Sequence, residues 1–196
     1  MNALQGIERL LSNSSKIRSM CRQVAADRSV KKLGLKPTDK QIHQFFSLFA
    51  DGIRYAAATY GVSAVPTQIQ FVRDHIDERG IRSRFVVGYM GELDLVLISH
   101  DFIARRCSQF GNGIFYLDSH LPGLSVTAED RTFLQALEEC YHRHQSVGLG
   151  YVQTETTHDR AHPHEVEVHA VWREAIAAKG IETRPADDSP VWSPPN

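Results

Sequence analysis

Histidine and glutamate are concentrated in one stretch of the sequence. Six of the ten histidines fall between His142 and His169. The same stretch and its approach contain the glutamates Glu138, Glu139, Glu155, Glu165 and Glu167. Neutral imidazole and carboxylate groups are the nitrogen and oxygen ligands of zinc and iron. This stretch is therefore the candidate region for a divalent-metal site, and the spacing of its residues decides whether they can share an ion.

The spacing of these residues places several of them on shared helix faces. A helix is predicted from Thr127 to about Ser146, and on it Glu138 and His142 are four residues apart. Glu139 and His142 are three apart, so either pair projects from one face and can contact one ion. Glu138 and His142 border the apolar stripe formed by Phe133, Leu134, Leu137 and Tyr141. A half-buried ligand is expected at such a border.

A second helix, predicted from Pro163 to Lys179, brings further candidates. Glu167 shares a face with Ala170 and Val171, so it can point inward beside small side chains. Glu165 and His169 form another pair four residues apart. By their helix faces Glu138, His142 and Glu167 are the leading candidates, and the secondary candidates are His144, His164, Glu165 and His169.

The string from Glu138 to His142 (EECYH), with Gln145 after it and Glu167 downstream, resembles the motif of zincin metallopeptidases that use a glutamate as the third ligand. In that family an HExxH helix supplies two histidine ligands and a general-base glutamate, and a later helix supplies the third ligand. The resemblance extends from about Pro66 to Ala178. It implies that His142 is the second ligand.

The same resemblance assigns chemistry to the neighbouring residues. It implies that Glu139 is the catalytic general base, taking a proton from a metal-bound water, and that Glu167 is the third ligand. Glu138 stands where the family has its first histidine, and a Glu/His/Glu set suits iron or manganese as well as zinc. The expected activity is that of a metal-dependent hydrolase acting on a peptide or a small molecule.

Several other interpretations remain open at this point. The scaffold could be a non-catalytic zincin-like binding or regulatory domain that has lost the metal. The charged residues could be no more than the solvated faces of two amphipathic helices. Glu139-x-x-His142 also occurs in ferritin-like di-iron bundles, which need four long helices. The Pro-rich residues 190–195 could serve as a protein-interaction module, and Cys140 is predicted to be buried rather than nucleophilic.

Hydrophobic periodicity predicts an α+β fold that holds these helices. Helices are expected over residues 3–11, 15–30 and 41–60, with Thr38 as an N-cap and Gly61 as a stop. A small, mostly antiparallel sheet of about four strands is expected from segments 67–72, 84–89, 93–99 and 113–118. Segments 84–89 and 93–99 are predicted to pair antiparallel, and the zincin resemblance implies that 93–99 is an edge-like strand at the end of the sheet. Two C-terminal helices then complete a zincin-like fold.

Length and charge set the remaining expectations. The 196 residues predict one α+β domain over 1–183, comprising a helical part (1–62), a sheet (63–120) and the motif helices (125–180), followed by a flexible tail over 184–196. A net charge of −1 without a basic cluster argues against a nucleic-acid partner. The sequence has no apolar run long enough for a membrane span, and its three cysteines are widely spaced. Both observations favour a cytoplasmic protein. The sequence does not predict the oligomeric state.

Overall fold

The protein has the predicted α+β architecture in a computed structural model that describes residues 1–73, 75–76, 82–83, 87–118, 120–150 and 163–185. The helices of these residues are α1 (Ala3–Leu11), α2 (Ser14–Ala26), α3 (Arg28–Lys32), α4 (Asp39–Tyr60), α5 (His100–Gln109), α6 (Ala128–Arg143) and α7 (Pro163–Lys179). The strands are β1 (Gln68–Val72), β2 (His75–Ile76), β3 (Arg82–Ser83), β4 (Val87–Met90), β5 (Leu95–Ser99), β6 (Phe115–Leu117), β7 (Leu124–Thr127) and β8 (Arg184–Pro185).

The strands of the described residues form separate small sheets rather than one. The first sheet has the order β1-β5-β4, the second pairs β2 with β3, and the third has the order β6-β7-β8. The antiparallel pairing predicted for β4 and β5 is confirmed, with Val87 opposite Ile98. The prediction that residues 93–99 lie at the edge is wrong, because β1 pairs with β5 in parallel from Gln68 opposite Leu95. A run of apolar residues buried on both faces is typical of such a central strand.

Helix ends follow local signals in the sequence. The Thr38 side chain accepts a hydrogen bond from the backbone N–H of Gln41, and the Gln41 side chain accepts one from the backbone N–H of Thr38. This capping box satisfies two backbone donors at the start of α4. Gly61 ends that helix at φ +88°, a conformation that favours glycine. At Thr127, where the sequence predicts the start of α6, the side chain accepts a hydrogen bond from the backbone N–H of Asp130.

The core is built around α4 and α6, which pack closely where α4 has a glycine. A methyl group on Gly52 would lie 2.7 Å from the Cβ of Ala136 on α6. Beside this contact, the rings of Tyr55 and Phe133 meet with centroids 5.7 Å apart. The largest fully buried side chains include Trp172, Phe45, Phe46, Phe49, Ile42, Ile53, Leu134 and Leu137. Of the helices in the described ranges, none has both the length and the apolar character to cross a membrane.

Three segments differ from the predicted pattern. Ser99 ends strand β5 and is also the N-cap of α5, a helix that the sequence pattern does not predict. Its side chain accepts a hydrogen bond from the backbone N–H of Phe102. Strand β7 lies at 124–127, beyond the predicted sheet region of 63–120. Arg184 and Pro185, at the start of the predicted tail, pair with β7 as strand β8; the predicted flexibility of 186–196 concerns residues outside the described part.

Candidate functional site

Helix α6 carries the acidic and histidine residues of the motif into the protein interior. Glu138, Glu139 and His142 are only 6%, 3% and 7% exposed, respectively. Charged groups are buried only at a cost in free energy that must be offset by specific contacts. The interpretation of these α6 residues as a solvated face is therefore wrong.

Glu138 lies between two imidazole rings. Its Oε1 atom is 3.7 Å from Nε2 of His142 and 3.5 Å from Nε2 of His120, which lies between β6 and β7. Its other oxygen, Oε2, is buried and has no hydrogen-bond partner among the described residues. A buried carboxylate oxygen without a donor is uncommon and calls for a physical explanation.

His142 and Glu167 are connected through Gln145. The Nδ1 atom of His142 is 3.1 Å from Oε1 of Gln145, and Nε2 of Gln145 donates to Oε2 of Glu167 at 2.9 Å. The hydroxyl of Tyr141 also donates to this oxygen, at 3.3 Å. Gln145 is positioned by a π-helical turn, His144–Gly148, that continues α6. The structure thus brings both predicted ligands into one network, with an amide between His142 and Glu167.

Glu139 connects α6 to strand β4. Its Oε2 accepts the backbone N–H of Tyr89 at 2.5 Å, and its Oε1 accepts from the side chain of Gln135 at 3.0 Å. Burial and, to a smaller extent, the charge of Glu138 raise the pKa of Glu139 to about 7, against the opposing effects of His142 and the two hydrogen bonds. A carboxyl group with a pKa near 7 can both accept and release a proton at neutral pH.

His120 is oriented by Asp118. Oδ1 of Asp118 accepts the backbone N–H of His120 at 3.0 Å and lies 3.2 Å from its ring Nδ1. Arg131 donates two hydrogen bonds to Oδ2 of the same carboxylate. Burial alone would raise the pKa of Asp118, but the hydrogen bond from His120 and the charge of Arg131 hold it well below its ordinary value. Asp118 is therefore ionised and accepts from the His120 ring.

Sequence reasoning did not identify His120 as a site residue. It is separated from Glu138 by 18 positions, and only the tertiary fold brings the two together. The spacing Asp118-x-His120 is the one local signal, since a carboxylate two residues away can fix an imidazole. The His120 ring also lies 5.5 Å from the ring of His169 and 5.1 Å from that of Trp172, measured between centroids.

The secondary candidates occupy different surroundings. His144 lies in an aromatic cluster, with its ring centroid 5.3 Å from that of Tyr60 and 5.8 Å from that of Tyr141. His169 lies beside His120, as above. The side chains of His164 and Glu165 lie outside the described residues. Cys140 is buried, as predicted, and burial raises the pKa of its thiol, which disfavours a thiolate nucleophile.

The described residues do not form an assembled metal centre. Within the described ranges, no group of three or more His, Cys, Asp or Glu side chains is arranged to hold an ion. The donor set nevertheless fits a divalent cation chemically, because two imidazole nitrogens face one oxygen of a carboxylate whose other oxygen lacks a donor. A modest closure of these side chains is what binding would require.

Arg143 fixes the same helix to the strand region. Its guanidinium donates to both carboxylate oxygens of Asp94, at 2.5 and 2.7 Å, and also to the carbonyl oxygen of Ser63. Asp94 has a φ of +46° and also accepts from the hydroxyl of Tyr89 at 3.1 Å. This pair holds α6 in the position from which Glu139 reaches the Tyr89 amide.

Replacing Asp94 by asparagine should lower the free energy of unfolding by about 2 kcal/mol at pH 7, because Arg143 loses its counter-charge. Asparagine also tolerates a positive φ, so backbone strain is not introduced. Hydrogen bonds from Arg143 lower the pKa of Asp94 below 3.8 in the folded protein. The pair therefore stabilises the fold fully above the unfolded-state pKa, and this contribution disappears as the pH falls through the folded-state pKa.

Urea unfolding of both proteins between pH 7 and pH 2 measures this contribution. The wild-type advantage should shrink toward zero below pH 4. Asp51→Asn is the control, since Asp51 pairs with Arg54 at the surface and its loss should cost less than about 0.5 kcal/mol. An Asp94→Asn effect no larger than that of the control would contradict the structural role of this ion pair.

An α+β fold enclosing a buried carboxylate–imidazole cluster is the class that these observations define. Comparison with protein-family models, with curated proteins and with solved structures found no match to the chain. The resemblance to zincins therefore depends on the residues of this chain alone.

Proposed function

We propose that the chain is a metal-dependent hydrolase of zincin-like type, in which Glu138 and His142 bind a divalent ion and Glu139 is the general base. The observation that supports this most is the buried carboxylate of Glu138, whose side chain is 8% exposed and whose Oε2 lacks a donor among the described residues. A buried anion of this kind is strongly unfavourable unless a cation compensates it. Zinc, iron or manganese would supply that charge.

The residues of the chain suit the protonic steps of hydrolysis. A bound divalent ion would lower the pKa of a water molecule toward neutrality. Glu139, next to Glu138, would take that proton; in the metal-free protein burial raises its pKa to about 7, toward the range of a base working at neutral pH. Tyr89 and Gln135 hold the Glu139 carboxyl in place, while each of its oxygens keeps a further lone pair for an incoming proton. The substrate would be a peptide or a small molecule.

Metal binding by the full chain, purified without a histidine tag, tests this proposal. We expect about one equivalent of metal per chain and a rise in the thermal midpoint on adding Zn²⁺, Mn²⁺ or Fe²⁺. His142→Ala should abolish both effects. His43→Ala, which removes an exposed histidine of α4, should leave both unchanged. No bound metal and no thermal shift in the wild type would refute the proposal.

A non-catalytic metal-binding or regulatory domain is the second candidate. It is favoured by the fact that both oxygens of Glu139 already accept hydrogen bonds that join α6 to β4. Glu139→Gln separates the two functions, because it removes the base without removing a proposed ligand. Cleavage of a mixed peptide library is followed by mass spectrometry. If the Glu139→Gln variant still binds metal but no longer cleaves the library, Glu139 is catalytic. If neither protein cleaves the library, the binding domain is favoured.

A further inference from the structure

We infer that His120 is the third protein ligand of the proposed ion, so that the site consists of His120, His142 and Glu138, with Glu167 acting from outside. This inference rests on the proposed metal binding and goes beyond it by changing the ligand set. The juxtaposition that carries it is the approach of both imidazole Nε2 atoms to the same oxygen, Oε1 of Glu138, at 3.5 and 3.7 Å.

Hydrogen bonds determine which nitrogen of His142 can bind a metal. Gln145 uses its amide N–H to donate to Glu167, so its carbonyl oxygen is the atom that faces Nδ1 of His142. A carbonyl oxygen only accepts, and Nδ1 must therefore carry the hydrogen. In the neutral ring this leaves a lone pair on Nε2, the atom directed at Glu138.

The same reasoning applies to His120. The carboxylate of Asp118 faces its Nδ1 and can only accept, so Nδ1 again carries the hydrogen and Nε2 carries the lone pair. Asp118 is itself fixed by two hydrogen bonds from Arg131. An imidazole whose second nitrogen donates to a carboxylate or a carbonyl oxygen is the usual arrangement around metal-binding histidines.

In their neutral forms both imidazoles thus turn an Nε2 lone pair toward the same oxygen of Glu138, and a cation beside that oxygen could be bound by all three groups. Two histidines and one glutamate form a common zinc set and also the set of many iron(II) sites. Ligands of a tetrahedral zinc ion lie about 3.3 Å apart. The two measured separations from Glu138 exceed this by a few tenths of an ångström, so binding requires the imidazoles to close on the shared oxygen.

Glu167 has a different place in this arrangement. Its Oε2 accepts from Gln145 and from Tyr141, which puts an amide between its carboxylate and His142. It thereby acts as a positioning residue that fixes the Gln145 amide and, through it, the proton on His142. Glu138 would supply the oxygen ligand that the zincin resemblance assigns to Glu167, and His120 would replace the missing histidine of the motif.

Competition with a chromophoric chelator, using Zn²⁺ and Co²⁺ and the full chain, tests the ligand set. His120→Ala should weaken binding by more than about 100-fold, beyond the range for loss of an outer-shell partner, and should change the visible absorption of bound Co²⁺, because a nitrogen ligand is lost. Glu167→Gln retains an acceptor for Gln145, so it should weaken binding less than about 10-fold and leave the Co²⁺ spectrum unchanged. His43→Ala should match the wild type.

The outcomes separate this inference from the proposed function. If metal binding persists in the His120→Ala variant but is lost in Glu167→Gln, the inference is overturned. The ligand set would then be Glu138, His142 and Glu167. Absence of binding in the wild type would refute the proposed function itself. If His120→Ala does not fold, His120→Gln keeps a donor for Asp118 while removing the imidazole, and it should show the same loss of affinity.

Discussion

Gly52→Ala should destabilise the protein by about 3 kcal/mol, even though alanine is the better helix former by about 1 kcal/mol. The added methyl group would lie 2.7 Å from the Cβ of Ala136 and closer still to the carbonyl oxygen of Phe133. Neither atom belongs to a flexible side-chain end, so α4 and α6 must move apart to relieve the overlap. The close packing of protein interiors makes such a shift costly.

Gly6→Ala is the matched control, since it makes the same change inside another helix, α1. There the new methyl group would meet the terminal Cγ2 of Ile69 at 3.3 Å, which a small side-chain rotation can relieve. We expect a change in the free energy of unfolding within about 1 kcal/mol of zero. Urea unfolding of the two variants and the wild type measures both effects. Equal stability of Gly52→Ala and Gly6→Ala would contradict the close contact between α4 and α6.

Local features of the fold were predictable from the sequence because their causes are local. The cap at Thr38, the stop at Gly61 and the start of α6 at Thr127 depend on residues three or four positions apart. Helix α7 was predicted with its observed bounds, from Pro163 to Lys179. Such signals involve backbone conformation and nearby hydrogen bonds, which sequence spacing specifies directly.

The arrangement of the strands was less predictable because strand order depends on distant contacts. Strand β5 looks like a terminal member of a hairpin when only β4 is considered. Its parallel pairing with β1, whose partner residues are 27 positions away, is what places it centrally. Helix α5 was missed because it begins at His100 directly after Ser99, the last residue of β5, without a turn signal, and the cap at Ser99 is visible only with Phe102.

The candidate site also has one part that local sequence signals predict and another that depends on long-range contacts. The positions of Glu138, Glu139 and His142 on one buried helix follow from helical spacing, and they were predicted as site residues. His120 has Asp118, two residues away, as its one local signal, and Gln145 gains its role only once α7 brings Glu167 beside it. Burial was also underestimated, because polar residues at the border of an apolar stripe can face either solvent or another element.

Glu138→Gln should stabilise the metal-free protein by about 1–2 kcal/mol while removing the stabilisation that a bound ion provides. The Oε1 atom of Glu138 faces Nε2 of His120 and Nε2 of His142, which carry lone pairs in the neutral forms inferred above. A side-chain amide offers two N–H groups in place of that oxygen, so repulsion is replaced by hydrogen bonds. The removal of a buried negative charge acts in the same direction.

Thermal and urea unfolding in the presence of a chelator, and then with zinc, measures both parts of this prediction. At a zinc concentration 1,000 times the Kd, the wild type should gain about 4 kcal/mol, and Glu138→Gln should gain little. The order of stability of the two proteins should therefore reverse between the two conditions. A residue that destabilises the empty protein and stabilises the loaded one is retained for the ion, in keeping with the usual conflict between stability and function.

Glu139→Gln is the control for this reversal, because it makes the same change at the next residue. Both oxygens of Glu139 face N–H donors, those of Tyr89 and Gln135, so an amide there gains no acceptor and should not stabilise the metal-free protein. Glu138 is surrounded by hydrogen-bond acceptors and Glu139 by donors. The change in stability of the metal-free protein on substitution by glutamine should therefore differ in sign between the two residues. If Glu138→Gln lowers stability both with and without zinc, the Glu138 carboxyl is already balanced by a proton or by a histidinium. The buried cluster would then be a structural network rather than a metal site.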